Sequence, residues 1–229
     1  MSRTTVLACA TVIEEMLPRL PPEVHHQVFD FGLHTDPDKL RAALQEAIDA
    51  ASSEADTIIL GYGLCSNAVM GLRATDCRLV VPRVHDCIAL FLGSCAAYDR
   101  QAQQEPGTYY LTKGWIAVGD TPFSEYDQLV ERRGKEKADR MYQLMFQHYT
   151  RLAFIDTGHV DQERYREYAR DTAARFGLRY EEIPGSDELI KRTLFGPWDG
   201  DFVVVEPGEE ITMGHFAPLL MGGHAAAQR

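Results

Sequence analysis

The chain has 229 residues, 45% hydrophobic and 25% charged, which is ordinary for a globular protein and long enough to bury a substantial core. Its formal net charge of −11 argues against nucleic acid and against an anionic membrane surface, since both select a basic surplus. No apolar run approaches the roughly 18–20 residues that span a bilayer, so a membrane is not expected as a partner.

Residues 4–10 read as a buried strand. The short apolar run after Arg3 could pass for a signal peptide, but Glu14-Glu15 follows at once, so export is rejected and a cytoplasmic location is expected. Residues 24–31 form a second, more polar strand. Residues 38–51 carry Leu40, Ala43, Leu44, Ile48 and Ala51 near helical spacing, started by Asp36 as cap and Pro37 in the first turn. A third strand, 57–60, ends in Gly61-Tyr62-Gly63, and a fourth covers 78–82. Residues 86–104 read as one helix, and Gly107 turns the chain into a strand over 108–112. Residues 125–149 form a long charged helix that Gly134 bends or divides. A strand over 152–156, a helix over 161–176 closed by Gly177, a strand over 178–183, a short helix over 186–194 capped by Ser186 and a last strand over 202–205 follow. The tail from Gly214 is rich in Gly and Ala.

Strands alternating with helices of this length imply an α/β fold: a mostly parallel, Rossmann-like sheet, or two such sheets, covered by helices. The expected division is a first half over 1–104, a similar half over 105–213 packed against it, and a tail over 214–229. One large sheet and two lobes both fit.

The cysteines are at 9, 65, 77, 87 and 95; their odd number, without an export signal, makes reduced thiols the default. In parallel sheets, ligands bind beyond the carboxyl ends of the strands. Cys9 ends strand one, Cys65 follows strand three, and His85, Asp86 and Cys87 follow strand four. Cys77 precedes strand four and falls at the opposite edge. Cys95 lies two turns past Cys87, a fourth ligand only if its helix tilts inward.

Three readings of this group compete. Cys9, Cys65 and Cys87, with His85 as a fourth ligand or proton donor, suit zinc, iron or an iron–sulfur cluster with an open position. Alternatively, Cys87 in the first turn of its helix is a reactive thiol without metal, its pKa lowered by the helix terminus and partly restored by Asp86. Or the cysteines are small core residues.

Gly61, Gly63, Ser66 and Asn67 form a strand–loop–helix junction that could cradle a cofactor phosphate, although Walker and full Gly-x-Gly-x-x-Gly spacings are missing and a structural turn is at least as good a reading. Farther on, Asp156 and His159 follow a strand and could serve as acid–base groups facing the same cleft, and Lys113 could hold a carboxylate or phosphate; capped turns are the plainer reading. His25, His26 and His34 show no partner pattern. Met141 and Met145 match a helix core stripe.

Cys9, the run Gly61-Tyr62-Gly63-Leu64-Cys65-Ser66-Asn67, His85-Asp86-Cys87 with Phe91-Leu92-Gly93-Ser94, Tyr109 to Trp115, and Asp156-Thr157-Gly158 together resemble the DUF1638 family over about residues 4–206. The resemblance implies a corrinoid, folate or one-carbon methyl context, with a corrinoid protein or methyltransferase as partner, and assigns no catalytic residue. The leading expectation is therefore a metal-dependent enzyme acting on a small molecule, the metal held by Cys9, Cys65 and Cys87, with His85, Asp156 and His159 as catalytic groups. The alternatives are a non-catalytic cofactor- or partner-binding module and a metal-free redox thiol protein.

Overall fold

The structure, a computed structural model, describes residues 3–118 and 121–222. Its strands are β1 (Thr4–Cys9), β2 (His25–Phe29), β3 (Thr57–Gly61), β4 (Arg78–Pro82), β5 (Thr108–Leu111), β6 (Arg151–Asp156), β7 (Arg179–Pro184) and β8 (Phe202–Val205). Its α-helices are α1 (Ala10–Met16), α2 (Pro37–Ala51), α3 (Cys87–Leu92), α4 (Cys95–Gln104), α5 (Lys113–Val118), α6 (Tyr126–Arg133), α7 (Lys135–Phe146), α8 (Glu163–Phe176), α9 (Glu188–Phe195) and α10 (Ala217–Gly222). Among the described residues, no helix is long and apolar enough to cross a membrane.

The chain forms two compact units. The first contains the residues up to Asp99 together with those from Ser186 onward; the second is Arg100–Gly185. The first unit is built on a five-stranded sheet in the order β2-β1-β3-β4-β8. Strands β2, β1, β3 and β4 run parallel, and β8 closes the edge antiparallel to β4, with Pro82 opposite Phe202.

The apolar runs explain this placement. All five residues of β3 are buried, as are Val6–Cys9 of β1, which is what a central strand covered on both faces requires. β2 exposes four of its five residues, as its edge position allows. Helix α2 buries Leu40, Leu44, Ala47 and Ile48 along one stripe, and the Asp36 carboxylate accepts the Lys39 N–H at 3.2 Å to start it.

Two expectations change here. The last strand returns to the first sheet, so the segment from Ser186 onward joins the first unit rather than the 105–213 half. The single helix expected over 86–104 is two helices. Gly93 ends α3 at φ +83°, and a Cβ there would lie 2.5 Å from the Ser186 hydroxyl, so the break admits the start of the returning segment.

The second unit holds a three-stranded parallel sheet, β5-β6-β7. Gly134, at φ +81°, divides the expected long helix into α6 and α7. Its core is largely aromatic: Phe123, Tyr126, Tyr142, Phe146, Phe154 and Tyr165 are buried together. Arg151 is buried on β6, yet its guanidinium reaches Thr108 at 2.7 Å, Gln101 at 2.7 Å and Glu181 at 3.0 Å, so the charge is fully paired.

Candidate functional site

The order β2-β1-β3 carries a direct consequence. The chain leaves β1 for one side of the sheet, then crosses to β3 on the other. The carboxyl ends of β1 and β3 therefore flank a topological switch point, where open α/β sheets leave a crevice. Cys9 is the last residue of β1, Ala8 pairs with Gly61 of β3, and Tyr62 follows immediately.

The loop after β3 is tied to the loop after β4. The Leu64 N–H donates to the Val84 carbonyl at 2.9 Å, and the Cys65 N–H donates to the His85 carbonyl at 3.1 Å. Those two bonds bring Cys65 beside His85-Asp86-Cys87. Residues Cys65, Ser66 and Asn67 then turn through the left-handed region, with φ of 44°, 57° and 68°. Three such residues in succession, none a glycine, store backbone strain.

Cys9, Cys65 and Cys87 are thus gathered from the ends of three adjacent parallel strands. Cys9 and Cys87 are buried and Cys65 is partly exposed. Burial pushes all three thiols up, and they act on one another: a charge on Cys9 raises Cys65, and charges on Cys9, Asp86 and Cys65 raise Cys87. The Cys9 Sγ also lies 3.0 Å from the Thr11 hydroxyl. This corrects one expectation. Cys87 does begin a helix, with the Asp86 carboxylate accepting the Ile88 N–H at 2.9 Å, but desolvation overrides the terminus and holds the thiol protonated. Asp86 is itself raised by burial, against hydrogen bonds from Ile88 and Tyr98 and the nearby His85.

Among the described residues, no group of three or more His, Cys, Asp or Glu side chains is placed to hold a metal ion. The thiols are neighbours without being a preformed ligand set, and His85 does not complete one. The His85 Nε2 is buried and has no hydrogen-bond partner among the described residues. Cys77 is buried just before β4, at the other edge of the sheet. Cys95 stands apart from the cluster: its Sγ donates to the Arg83 carbonyl at 3.3 Å, and burial, with Asp201 and Asp99, pushes it up to about 11.

The glycines of the junction serve packing. A Cβ on Gly61 would lie 2.6 Å from the Ala8 Cβ, and one on Gly63 would lie 2.7 Å from the Val84 carbonyl oxygen. Ser66 and Asn67 are exposed, and the Asn67 carbonyl accepts from the Arg41 guanidinium at 3.2 Å.

Two residues without a motif of their own also belong to this region. Tyr62 is 1% exposed, and its buried hydroxyl has no hydrogen-bond partner among the described residues. The phenol lies within electrostatic reach of all three thiols, and burial, then those thiols, push it up. His34 stacks on its ring at 5.8 Å and on the Phe31 ring at 4.9 Å. The His34 Nδ1 lies 3.0 Å from the Phe31 carbonyl and must donate to it, and burial lowers its pKa, so its Nε2 carries a lone pair. The sequence signal for Tyr62 was its position between two packing glycines at a strand end; His34 gave none.

In the second unit, Asp156 ends β6 and caps a turn. Its carboxylate accepts from the Gly158 N–H at 2.9 Å and the Gln162 amide at 2.8 Å, and pairs with Arg166 at 2.7 Å. Burial would raise it, but these donors outweigh burial and hold it below the ordinary carboxylate range. That geometry suits a turn cap rather than a proton shuttle. His159 offers its carbonyl to the Gln162 amide at 3.0 Å, and Lys113 is the first residue of α5. A cavity of about 660 Å³ in this unit is lined by Tyr126, Tyr142, Phe146, Tyr149 and Phe176. Its charged rim is self-paired, Lys135 with Asp139 and Arg175 with Asp127.

A family profile described as a protein of unknown function, DUF1638, matches residues 28–194. No curated protein matches the chain.

Proposed function

The chain belongs to the DUF1638 family, and with that fold as premise we propose that it is a metal-dependent enzyme acting on a small molecule, with Cys9, Cys65 and Cys87 as the ligands of zinc, iron or an iron–sulfur cluster. The observation that supports this reading is the placement of three thiols at or just after the carboxyl ends of the adjacent strands β1, β3 and β4. Burial and mutual repulsion keep these thiols protonated, which makes them poor nucleophiles on their own. A bound cation would displace the protons, since metal affinity is coupled to thiol deprotonation. Three protein ligands leave a fourth position for substrate, where a bound metal would act as a Lewis acid. His85, with its buried unpaired Nε2, is the protein's proton donor or acceptor beside that position. The one-carbon methyl setting, with a corrinoid or folate partner, is supported by the family resemblance alone.

Metal analysis and absorbance of anaerobically purified protein test this. The expected result is close to one zinc, or an iron chromophore, per chain, lost when any of the three cysteines is changed to serine. Occupancy below about a tenth, with no further loss in Cys-to-Ala variants, refutes it. A redox reading is favoured by one observation, the Cys65 N–H bond to the His85 carbonyl, which sets Cys65 near Cys87. It requires a reversible Cys65–Cys87 disulfide, with Cα atoms within about 7 Å.

A further inference from the structure

We infer that the aromatic cavity of the second unit is a binding site for an uncharged planar heteroaromatic ring, of the kind found in an indole or a nucleobase. Every residue that lines it belongs to Arg100–Gly185, and none of the thiols takes part. Its volume of about 660 Å³ falls in the range of small-molecule pockets, roughly 300–1,000 Å³. Tyr126 and Val130 of α6, Tyr142 and Phe146 of α7, Phe176 of α8 and Tyr149 before β6 form its walls. Phe176 stacks on Tyr142 at 5.3 Å and Tyr149 stands edge-on to Phe146 at 5.7 Å, so the walls are ring against ring.

The polar groups of these walls are already committed. The Tyr126 hydroxyl donates to the Asp139 carboxylate, and the Tyr142 hydroxyl donates to the Pro122 carbonyl. The two phenols therefore offer a ligand ring surface rather than hydrogen bonds. Val130, Tyr149 and Phe176 stay partly exposed, which leaves apolar surface facing water. A flat ring covers such surface and adds stacked or edge-to-face contacts of its own.

The rim selects against net charge. Lys135 pairs with Asp139 at 2.6 Å, and the Arg175 guanidinium donates to both oxygens of Asp127. An anion would have to draw a cation away from its carboxylate and would then lie beside that carboxylate. An organic cation would find the Tyr126 ring occupied, because the Arg175 guanidinium lies 4.6 Å from its centroid. A sugar needs many hydrogen bonds, and the buried phenols have none left to give. An uncharged heteroaromatic ring needs few, and the exposed Gln143 amide at the rim can serve its polar edge.

The test uses the full chain with indole as the probe, and benzoate, benzylammonium and glucose as competing classes, followed by ligand-observed NMR. Indole should bind with a Kd on the order of 0.1–1 mM, as suits a ligand of its size, and more tightly than the other three. Phe176→Leu keeps an apolar side chain but removes one ring, and should weaken indole by roughly 2- to 12-fold, the value of one aromatic pair. Gln143→Trp starts from an exposed helix position and fills the cavity with the chain's own indole. It should abolish binding of free indole while the melting temperature stays within about 2 °C of wild type. No binding by wild type at about 10 mM indole overturns the inference, as does binding that survives Gln143→Trp unchanged. Tighter binding of benzoate, benzylammonium or glucose than of indole overturns it too, by placing the occupant in another chemical class.

Discussion

Ser66→Gly is expected to stabilise the protein and to weaken the thiol site. Ser66 lies at the centre of the left-handed run, at φ 57°, and is exposed to solvent. Holding an L-residue in that region costs roughly 1–2 kcal/mol. Glycine removes most of this cost but loses about 0.5–1 kcal/mol more backbone entropy on folding. The balance favours the variant by about 0.5–1 kcal/mol, a rise of roughly 1–4 °C in melting temperature for a protein of this size. Urea unfolding of the metal-free protein, followed by circular dichroism, measures it directly. The same glycine frees the turn that presents Cys65 to its neighbours, so metal affinity should fall although stability rises. A midpoint that is unchanged or lowered would refute the claim that strain is stored there. A stabilised variant with full metal affinity would show that the strain serves no purpose at the site.

Gly63→Ala should destabilise by about 1–3 kcal/mol, because its Cβ would meet the Val84 carbonyl oxygen at 2.7 Å and backbone cannot rotate away; urea denaturation checks this. Cys9 and Cys87 should alkylate slowly in native protein at pH 8 and rapidly in denaturant, while the labelling rate of Cys95 should still rise towards pH 11, since burial first, and then Asp201 and Asp99, pushes that thiol up to about 11. Asp156→Asn should cost about 1 kcal/mol at pH 7 through loss of its pairing with Arg166. Because the folded carboxyl lies below its ordinary value, that stability is fully present above about pH 4 and is lost as pH falls through the folded value, so wild type and variant should converge in acid.

Local pattern made much of the first unit legible. β1, β3 and β4 announce themselves as continuous apolar runs, and the ends of those runs place Cys9, Cys65 and Cys87 on one edge while leaving Cys77 on the other. Phe202–Val205 is equally clear as a strand, but nothing local says which sheet it joins. Its antiparallel pairing with β4 spans more than a hundred residues, and a parallel alternative has the same sequence signature. The helix break at Gly93 was hidden for a related reason. A glycine within an apolar helical pattern is tolerated, and only the distant Ser186 packed against it demands the break.

Tyr62 and His34 show the limit most sharply. An aromatic residue after a strand and a histidine in a loop are both ordinary in sequence. Their importance arises from a relation: the phenol follows directly on β3 while the imidazole arrives from the turn before α2 and stacks on its ring. The same relation separates the two places where a ligand could sit. The second unit has a cavity of about 660 Å³, where Lys135 pairs with Asp139 and Arg175 with Asp127. At the switch point the Tyr62 hydroxyl and the His85 Nε2 are buried with no hydrogen-bond partner among the described residues. Unmet polar demand makes the ends of β1 and β3 the place where chemistry is expected, and the metal analysis is aimed there for that reason.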